Sequence, residues 1–526
     1  MLRTFKLAHQ LYLRCLLFST GTIAGIVTSN SLPIAVRASD LVGCRYKLRQ
    51  RAVHPEVPPL PEALARQPQV DAARQIVFTQ LPVKRAVGDG RRKAFVRMDL
   101  DPAAATVEDT RAAIRRGAHL ITNAPLVGDA AGAAAEVRVD VLVRASDGYV
   151  PVMISNHRVA RPDPDAELEM VATNRIGLST PLTVRAKARH HTEDGYRLAL
   201  AELLLRQIDA ATGRGGLIGQ DRTRAYLGDV TRYIQPLLDA LALPVPAEPK
   251  RLKKCATCRF WELCRPRLEQ MDDISLVFPG GTGDAWRERG YPTVQSLIDA
   301  DLGEPSALAR AWREGVPVLR RPGAAALASA VPRADVEIDV DMEAYLDQGA
   351  YLWGAYDGER YQAFVTWAEV GGAAEEANFT AFWTWLMETR AQAHTEGKTF
   401  RAYCFAAGGE NYWLKTSAKR FGTVPVAEVQ AFIASDEWVD VFALAKRQLV
   451  GTDGLGLKVL GPAVGFTWRD EEIDGDGSIA LRRLAREGDR TARAALLRYN
   501  EDDCRATRAV RDFLAAGSPG IPELDA

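Results

Sequence analysis

Charge of either sign is not in excess in this sequence: 67 Lys plus Arg balance 67 Asp plus Glu over 526 residues. Net charge therefore argues for no class of partner, and any basic or acidic surface has to be local. Cysteine is scarce as well. Seven in a chain of this length, an odd number, make no disulfide framework and fit a reducing compartment. A long apolar run is also missing. Leu7 to Val27 come nearest, but Gln10 and Arg14 interrupt them and Ser, Thr and Gly dilute their second half. The longest unbroken stretch is too short for a bilayer, which excludes a membrane-spanning reading. Val36-Arg37-Ala38 has the outline of a cleavage site, yet clustered free thiols downstream speak against export. The expectation is an extension over 1–36 ahead of a cytoplasmic protein. No internal repeat is visible.

What is present is ample apolar content, 47% against 25% charged, enough for real cores. The length predicts roughly two to four domains. Three of the few cysteines sit together in Cys255-Ala-Thr-Cys258-Arg-Phe-Trp-Glu-Leu-Cys264. Thiolates are soft ligands, so this C-x2-C-x5-C spacing predicts a zinc or iron–sulfur site. Both metals take four protein ligands, and Cys44 is the candidate for the fourth.

Periodicity divides the rest. Helices are expected over Pro68–Leu81, with the proline in the first turn, and over 111–116, 196–211 and 222–243. A strand is expected at 119–124, and a hairpin of 135–144 with 149–155 around the Asp147-Gly148 turn. Residues 284–298 read as two short helices joined at a glycine turn, as in a helix-hairpin-helix module that contacts a DNA backbone or in an ordinary helical connector, and Arg320-Arg-Pro-Gly with its Ala-rich sequel reads as a linker. A further α/β domain begins near Arg333, with strands at 336–343, 351–356, 361–367 and 400–405, a long helix at 375–396 and a closing helix at 492–514. That order predicts a mixed sheet flanked by helices.

The acids of this last domain carry the clearest chemistry. Asp341 and Glu343, two apart on one strand, face the same way. Glu410 follows a later strand, and Tyr499 and Asp503 lie one helical turn apart. Four acids converging on a point repel one another unless divalent cations sit between them, and hard oxygen donors suit Mg2+ or Mn2+. Two such ions can drive phosphodiester hydrolysis. Asp339, one pleat earlier on the same face, and Asp502 are candidate helpers.

This pattern resembles that of the DEDD exonucleases of the RNase H-like superfamily, whose motifs are D-x-E, a later acid, and Y-x-x-x-D. It departs in Cys404-Phe-Ala-Ala-Gly-Gly-Glu410, where Glu replaces the usual Asp. The resemblance implies that Asp341, Glu343, Glu410 and Asp503 hold the metal ions and that Tyr499 orients the attacking water. The cysteine spacing, in turn, resembles RecB-like nucleases with an iron–sulfur staple, which favours a [4Fe-4S] cluster over zinc. That superfamily places Asp on one hairpin strand and Glu-x-Lys on the next. Asp140 fits the first position, but Met153-Ile-Ser155 stands where Glu-x-Lys belongs. The first domain is therefore expected to be a restriction-endonuclease-like nuclease fold with a relic site at Asp140. Arg115, Arg116, Arg158, Arg161, Arg185, Lys187, Arg189 and Lys253-Lys254 are candidates for a phosphate-contacting track.

Taken together, the chain resembles a bacterial RecB-like nuclease family that joins these two domains through a helical segment. The expected organisation is α/β and multidomain: 37–268 iron–sulfur domain, 269–330 helical segment and linker, 331–516 RNase H-like domain, 517–526 tail. The resemblance implies a metal-dependent nuclease acting on DNA rather than RNA, and leaves room for a protein partner such as a helicase. The alternative is a non-catalytic nucleic-acid-binding scaffold with both sites decayed.

Overall fold

The computed structural model describes residues 32–83, 95–345, 348–470 and 475–524. The expected extension over 1–36 falls outside them except for residues 32–36. Within those, Val36 is fully buried and bridges Ala135, so the packed fold begins ahead of residue 37. Two compact units divide the chain between Met271 and Asp272.

The first unit is built on β1 (Arg97–Asp99), β2 (Leu120–Ala130), β3 (Ala133–Arg144), β4 (Tyr149–Ile154), β5 (Ala160–Ala172), β6 (Leu182–Ala188), β7 (Arg214–Ile218) and β8 (Arg224–Asp229). Their spatial order is β1-β2-β3-β4-β7-β8-β5-β6. β1 runs parallel to β2 and β4 parallel to β7, while the remaining neighbours are antiparallel. The hairpin expected at the Asp-Gly turn is β3–β4, with Val141 opposite Val152. One face of the sheet packs on the helix Thr192–Arg206 through Leu198, Leu204 and Leu205. Leu120, Val141, Val152 and Ile218 form a second cluster.

Three expectations need correction here. The helix expected over 222–243 is strand β8 first, because Ala225 is buried and pairs with β7, and the helix begins only at Ile234. The helix expected to open at Pro68 opens at Pro61 and carries Pro68 inside it. Strands β5 and β6 escaped a sequence reading because they are largely exposed, so polar residues dominate both faces.

In the second unit the strands are β9 (Val318–Arg320), β10 (Val336–Tyr345), β11 (Gly349–Tyr356), β12 (Tyr361–Val365), β13 (Phe400–Cys404), β14 (Trp438–Asp440) and β15 (Leu449–Gly451). Five make a mixed sheet in the order β12-β11-β10-β13-β14. Its first three strands are antiparallel and its last three parallel. The helices Gly281–Glu288 and Val294–Ala300 flank Gly290, whose φ of 94° suits the turn read from sequence. The expected linker is packed instead. β9 pairs with β15, Val318 is buried, and the Arg321 N–H donates to the Gln448 carbonyl at 2.7 Å. The expected tail is tied in as well, since the buried Leu524 donates its N–H to the Arg320 carbonyl at 2.7 Å.

Candidate active site

Strand β10 alternates strictly, and the alternation builds the site. Ile338 and Val340 are buried among Phe379 and Phe382 of the long helix Ala373–Thr395. Glu337, Asp339, Asp341 and Glu343 take the opposite face, where the closing helix Arg490–Ala515 bonds to the first three of them. That helix presents Asn500, Asp503, Arg508 and Arg511 at spacings of three to five, so one stripe meets the row of acids.

At the start of the strand the acids are paired with arginines, although burial still lifts Asp339 to about 6 against their pull. Arg511, itself fully buried, donates to Glu337 Oε2 at 2.7 Å and to the two oxygens of Asp339 at 3.3 and 3.1 Å. Arg508 adds a bond to Asp339 at 3.1 Å. Asp339 is therefore half of an ion pair in the core, not the open helper expected of it. Asp502 is likewise taken: Arg469 binds it through both its backbone N–H and its guanidinium, each at 2.8 Å.

Two pleats on, the closing helix offers a carboxylate in place of an arginine. Asp341, Glu343 and Asp503 each place an oxygen within 4.8 Å of the others. Burial and then mutual repulsion push Asp341 well above the usual carboxylate range, and Glu343 is raised for the same reasons. Burial raises Asp503 too, although the Trp468 Nε1–H, bonded to Asp503 Oδ1 at 2.7 Å, the Lys458 charge and the Tyr499 hydroxyl pull the other way. The Asn500 Nδ2 donates to Asp341 Oδ2 at 2.7 Å. A break in register between Glu343 and Ala344 on β10 marks the end of this row.

Glu410 lies outside that set of three. It stands in the first turn of the helix Gly408–Phe421, buried, where burial and the neighbouring Asp440 push it up to about 7. Its charge still raises both Asp341 and Glu343. The loop that carries it is held by Ala406, whose φ of 61° is left-handed and whose N–H donates to Asp440 Oδ1 at 3.0 Å. Tyr499 is buried beside Asp503, and burial together with the acids holds its phenol far above its ordinary value. Asn500, Trp468 and Lys458 were not read from the sequence. Asn500 had a signal, three residues before Asp503 on the same helical face; Lys458 and Trp468, distant in the chain, had none.

The donor set fits a hard divalent cation. Three partly or fully buried carboxylates with raised proton affinity converge within one coordination sphere, and a cation there would relieve their repulsion.

In the first unit, Asp140 is nearly inaccessible and saturated. Arg74 Nε donates to its Oδ1 at 2.9 Å; Arg197 Nη2 and the Ile154 N–H donate to Oδ2 at 2.9 and 2.8 Å. Met153 is in the core, and Ser155 donates its hydroxyl to Asp194 at 2.6 Å. Among the described residues, the only group of three or more His, Cys, Asp or Glu ligand atoms within 4.8 Å of one another is the one at Asp341.

The four cysteines are free thiols that feel one another's charge: Cys258 acts on Cys44, Cys255 and Cys264, and Cys44 on the last two. Burial raises these three, Cys264 to about 11. Gln50 Nε2 donates to the Cys264 sulfur at 3.3 Å, and the Leu252 N–H to the Cys255 sulfur at 3.2 Å. Tetrahedral zinc needs sulfurs about 3.8 Å apart, and no three of these sulfurs come within 4.8 Å of one another.

A family model described as the RNase_H superfamily matches residues 339–515. The match opens at Asp339 on β10 and closes at the end of the closing helix, so it spans all three carboxylates. No curated protein and no solved structure matches the chain. No helix among the described residues is long and apolar enough to cross a membrane.

Proposed function

We propose that the chain is a metal-dependent nuclease that hydrolyses phosphodiester bonds of DNA in its second unit, in the manner of a 3′–5′ exonuclease. The observation that carries this reading is the change of partner along β10. Two acids are answered by Arg511 and Arg508, and the next two by Asp503, within a match to the RNase_H superfamily. A fold that pairs one set of carboxylates with arginine and sets the next against a third carboxylate favours a cation at the second set.

Asp341, Glu343 and Asp503 would hold a divalent cation, with Glu410 contributing to a second. Such ions would supply Lewis acidity toward a phosphodiester oxygen and a more acidic attacking water. Asn500 fixes the Asp341 carboxylate, and Trp468 fixes one oxygen of Asp503. Tyr499, whose hydroxyl reaches Asp503, is placed to orient the water that attacks phosphorus. Its raised proton affinity keeps it a donor at neutral pH, so it positions the water without acting as the base.

The first unit would bind and present the nucleic acid. Its Asp140 is fully occupied by arginines, which supports a non-catalytic role. On the β5–β6 hairpin, Arg161 sits directly opposite Lys187, with exposed Arg158 and Arg189 nearby in sequence. Like charges facing each other across strands cost stability, and a polyanion would relieve that cost. A [4Fe-4S] cluster at Cys44, Cys255, Cys258 and Cys264 would staple this unit. Mutually interacting thiols, N–H···S bonds and the buried Phe260 beside them support it.

Labelled single-stranded DNA, double-stranded DNA and RNA, incubated with the full chain and Mn2+, test the reading. Metal-dependent cleavage of DNA that is lost in Asp341→Ala is expected. Binding without cleavage would instead make the chain a nucleic-acid-binding scaffold.

A further inference from the structure

Strands β5 and β6 part company in the middle of their pairing. Pro162 lies opposite Ala186 and Glu167 opposite Arg185, so residues 163–166 bulge out of β5 with no counterpart on β6. Beside the bulge lies a cavity of about 720 Å³, walled by this hairpin, the helix Thr192–Arg206 and the turn Thr231–Tyr233. Planar groups and cations share its lining: Tyr196, Tyr233, His190, Lys187 and Arg232. The two tyrosines are half-buried and packed against the core of the first unit, which fixes their rings. Tyr233 also lies against Gly195, where a Cβ would come within 3.1 Å of the ring. Arg232 holds its guanidinium 4.7 Å from the centre of the Tyr233 ring and donates to the Tyr233 hydroxyl at 2.7 Å. His190 meets the same ring at 5.1 Å, tilted by 40°. Lys187, His190 and Arg232 are exposed.

We propose that this cavity takes an unpaired nucleobase of a single-stranded nucleic acid, with Lys187 and Arg232 on the flanking phosphates. The inference rests on the reading of the first unit as the part that presents nucleic acid, and names the form it presents.

Shape and charge argue for it. A nucleotide in a strand offers a flat π-face and one negative charge, so its site needs planar groups set beside cations. Phenol, imidazole and guanidinium planes all stack on bases, and here the three meet at Tyr233. The charge has the matching sign. The lining holds one carboxylate, Glu167, and Arg185 is paired with it at 3.1 Å. Asp229, within electrostatic reach of Arg232, accepts both the N–H and the hydroxyl of Thr231. Lys187 ties the cavity to the like-charged pair it forms with Arg161 across the hairpin, where a polyanion relieves repulsion. Strandedness follows from the same geometry. A paired base shows only its edges in the grooves, so a base must leave the stack to lay its face against this wall.

The test uses the full chain in EDTA, so that binding is read without cleavage. Fluorescence anisotropy compares a short labelled oligothymidylate, an abasic strand of equal length and a blunt duplex. Wild type is expected to bind the oligothymidylate about tenfold or more tighter than the abasic strand. Tyr233→Leu keeps an apolar side chain on the core and loses the ring; it should lose that preference and keep its affinity for the abasic strand. The double variant His190→Ala/Arg232→Ala changes exposed positions and should lose the preference while binding both strands more weakly. If Tyr233→Leu melts below wild type, the double variant decides. Equal affinity of wild type for the two strands overturns the base site and leaves the presenting role standing. A wild-type preference retained in a deciding variant overturns it as well. Duplex bound as tightly as the oligothymidylate overturns the unpaired-base assignment, and thymidine monophosphate that competes as well as the strand would make the cavity a mononucleotide site instead. A chain that binds none of these ligands loses the presenting role and the base site together. Cleavage in Mn2+ is scored separately and bears on the nuclease reading alone.

Discussion

Asn500 donates its side-chain N–H to Asp341 Oδ2 across 2.7 Å, while its own oxygen accepts the Tyr361 hydroxyl at 2.7 Å. The relay fixes both the flip of the amide and the orientation of the carboxylate. It depends on Gly354, which pairs with Asp341 across β11: a Cβ there would stand 1.8 Å from Asn500 Oδ1. Asn500→Ala releases the Asp341 carboxylate, and kcat is expected to fall by about 10- to 100-fold. Gly354→Ala should act in the same direction by displacing Asn500. Steady-state cleavage by the two folded variants checks this, and wild-type kcat in both would remove Asn500 from the site.

Relief of repulsion should separate stability from activity. Asp503→Asn removes one of three crowded charges and keeps a side chain that can still meet Trp468 and Tyr499. Without metal this variant is expected to be more stable than wild type by about 0.5–2 kcal/mol while losing cleavage. Urea titration in EDTA measures the first effect. A metal-free variant less stable than wild type would mean that Asp503 is ionically compensated in the fold.

The pH dependence follows from the direction of the carboxylate shifts. In the unfolded chain these groups ionise near about 4. In the fold, Glu410 keeps its proton to about 7, and Asp341, Glu343 and Asp503 are raised as well. The folded state then holds more protons than the unfolded state between those values. Metal-free stability from these groups is fully present below about 4 and is lost as pH rises through about 7. A divalent cation needs the ionised acids, so its stabilising effect must grow over the same window. Thermal melts with and without Mg2+ at about pH 5 and about pH 8 should show a small shift at the first and a larger one at the second. Equal shifts would mean that the cation binds elsewhere.

Arg511 should matter to the fold rather than to the chemistry. Its removal takes the one fully buried guanidinium from Glu337 and Asp339 and leaves them only the more exposed Arg333 and Arg508, so Arg511→Ala is expected to cost up to about 3–5 kcal/mol. Substituting Asp341 strips no buried acid of an arginine. Urea denaturation of the two variants side by side reads the contrast, which the paired and unpaired halves of β10 require.

The sequence made the row of acids on β10 legible because strand periodicity of two puts 337, 339, 341 and 343 on one face whatever the fold. It could not say which of them were neutralised. Arg508 and Arg511 lie about 170 residues downstream, and only the closing helix brings them to Glu337 and Asp339 while bringing Asp503 to Glu343. Glu410 was visible as an acid after a strand, but its distance from the triad depends on the left-handed Ala406 turn, which carries no composition cue. Asp140 could be singled out in the sequence, but not the groups that surround it. Its replacement partners Arg74 and Arg197 come from two separate helices, where nothing local marks them. Lys458 and Trp468 sit in a stretch of glycine- and proline-rich loop and short helix, where periodicity has little to read.

Counting bound Mn2+ by electron paramagnetic resonance, in titrations of the metal-free full chain, tests the central claim most directly. Wild type is expected to withdraw Mn2+ from solution saturably, and Asp341→Asn to lose that binding with no fall in its metal-free melting temperature. Wild-type Mn2+ binding in a folded Asp341→Asn variant would contradict the assignment of Asp341, Glu343 and Asp503 as the metal centre.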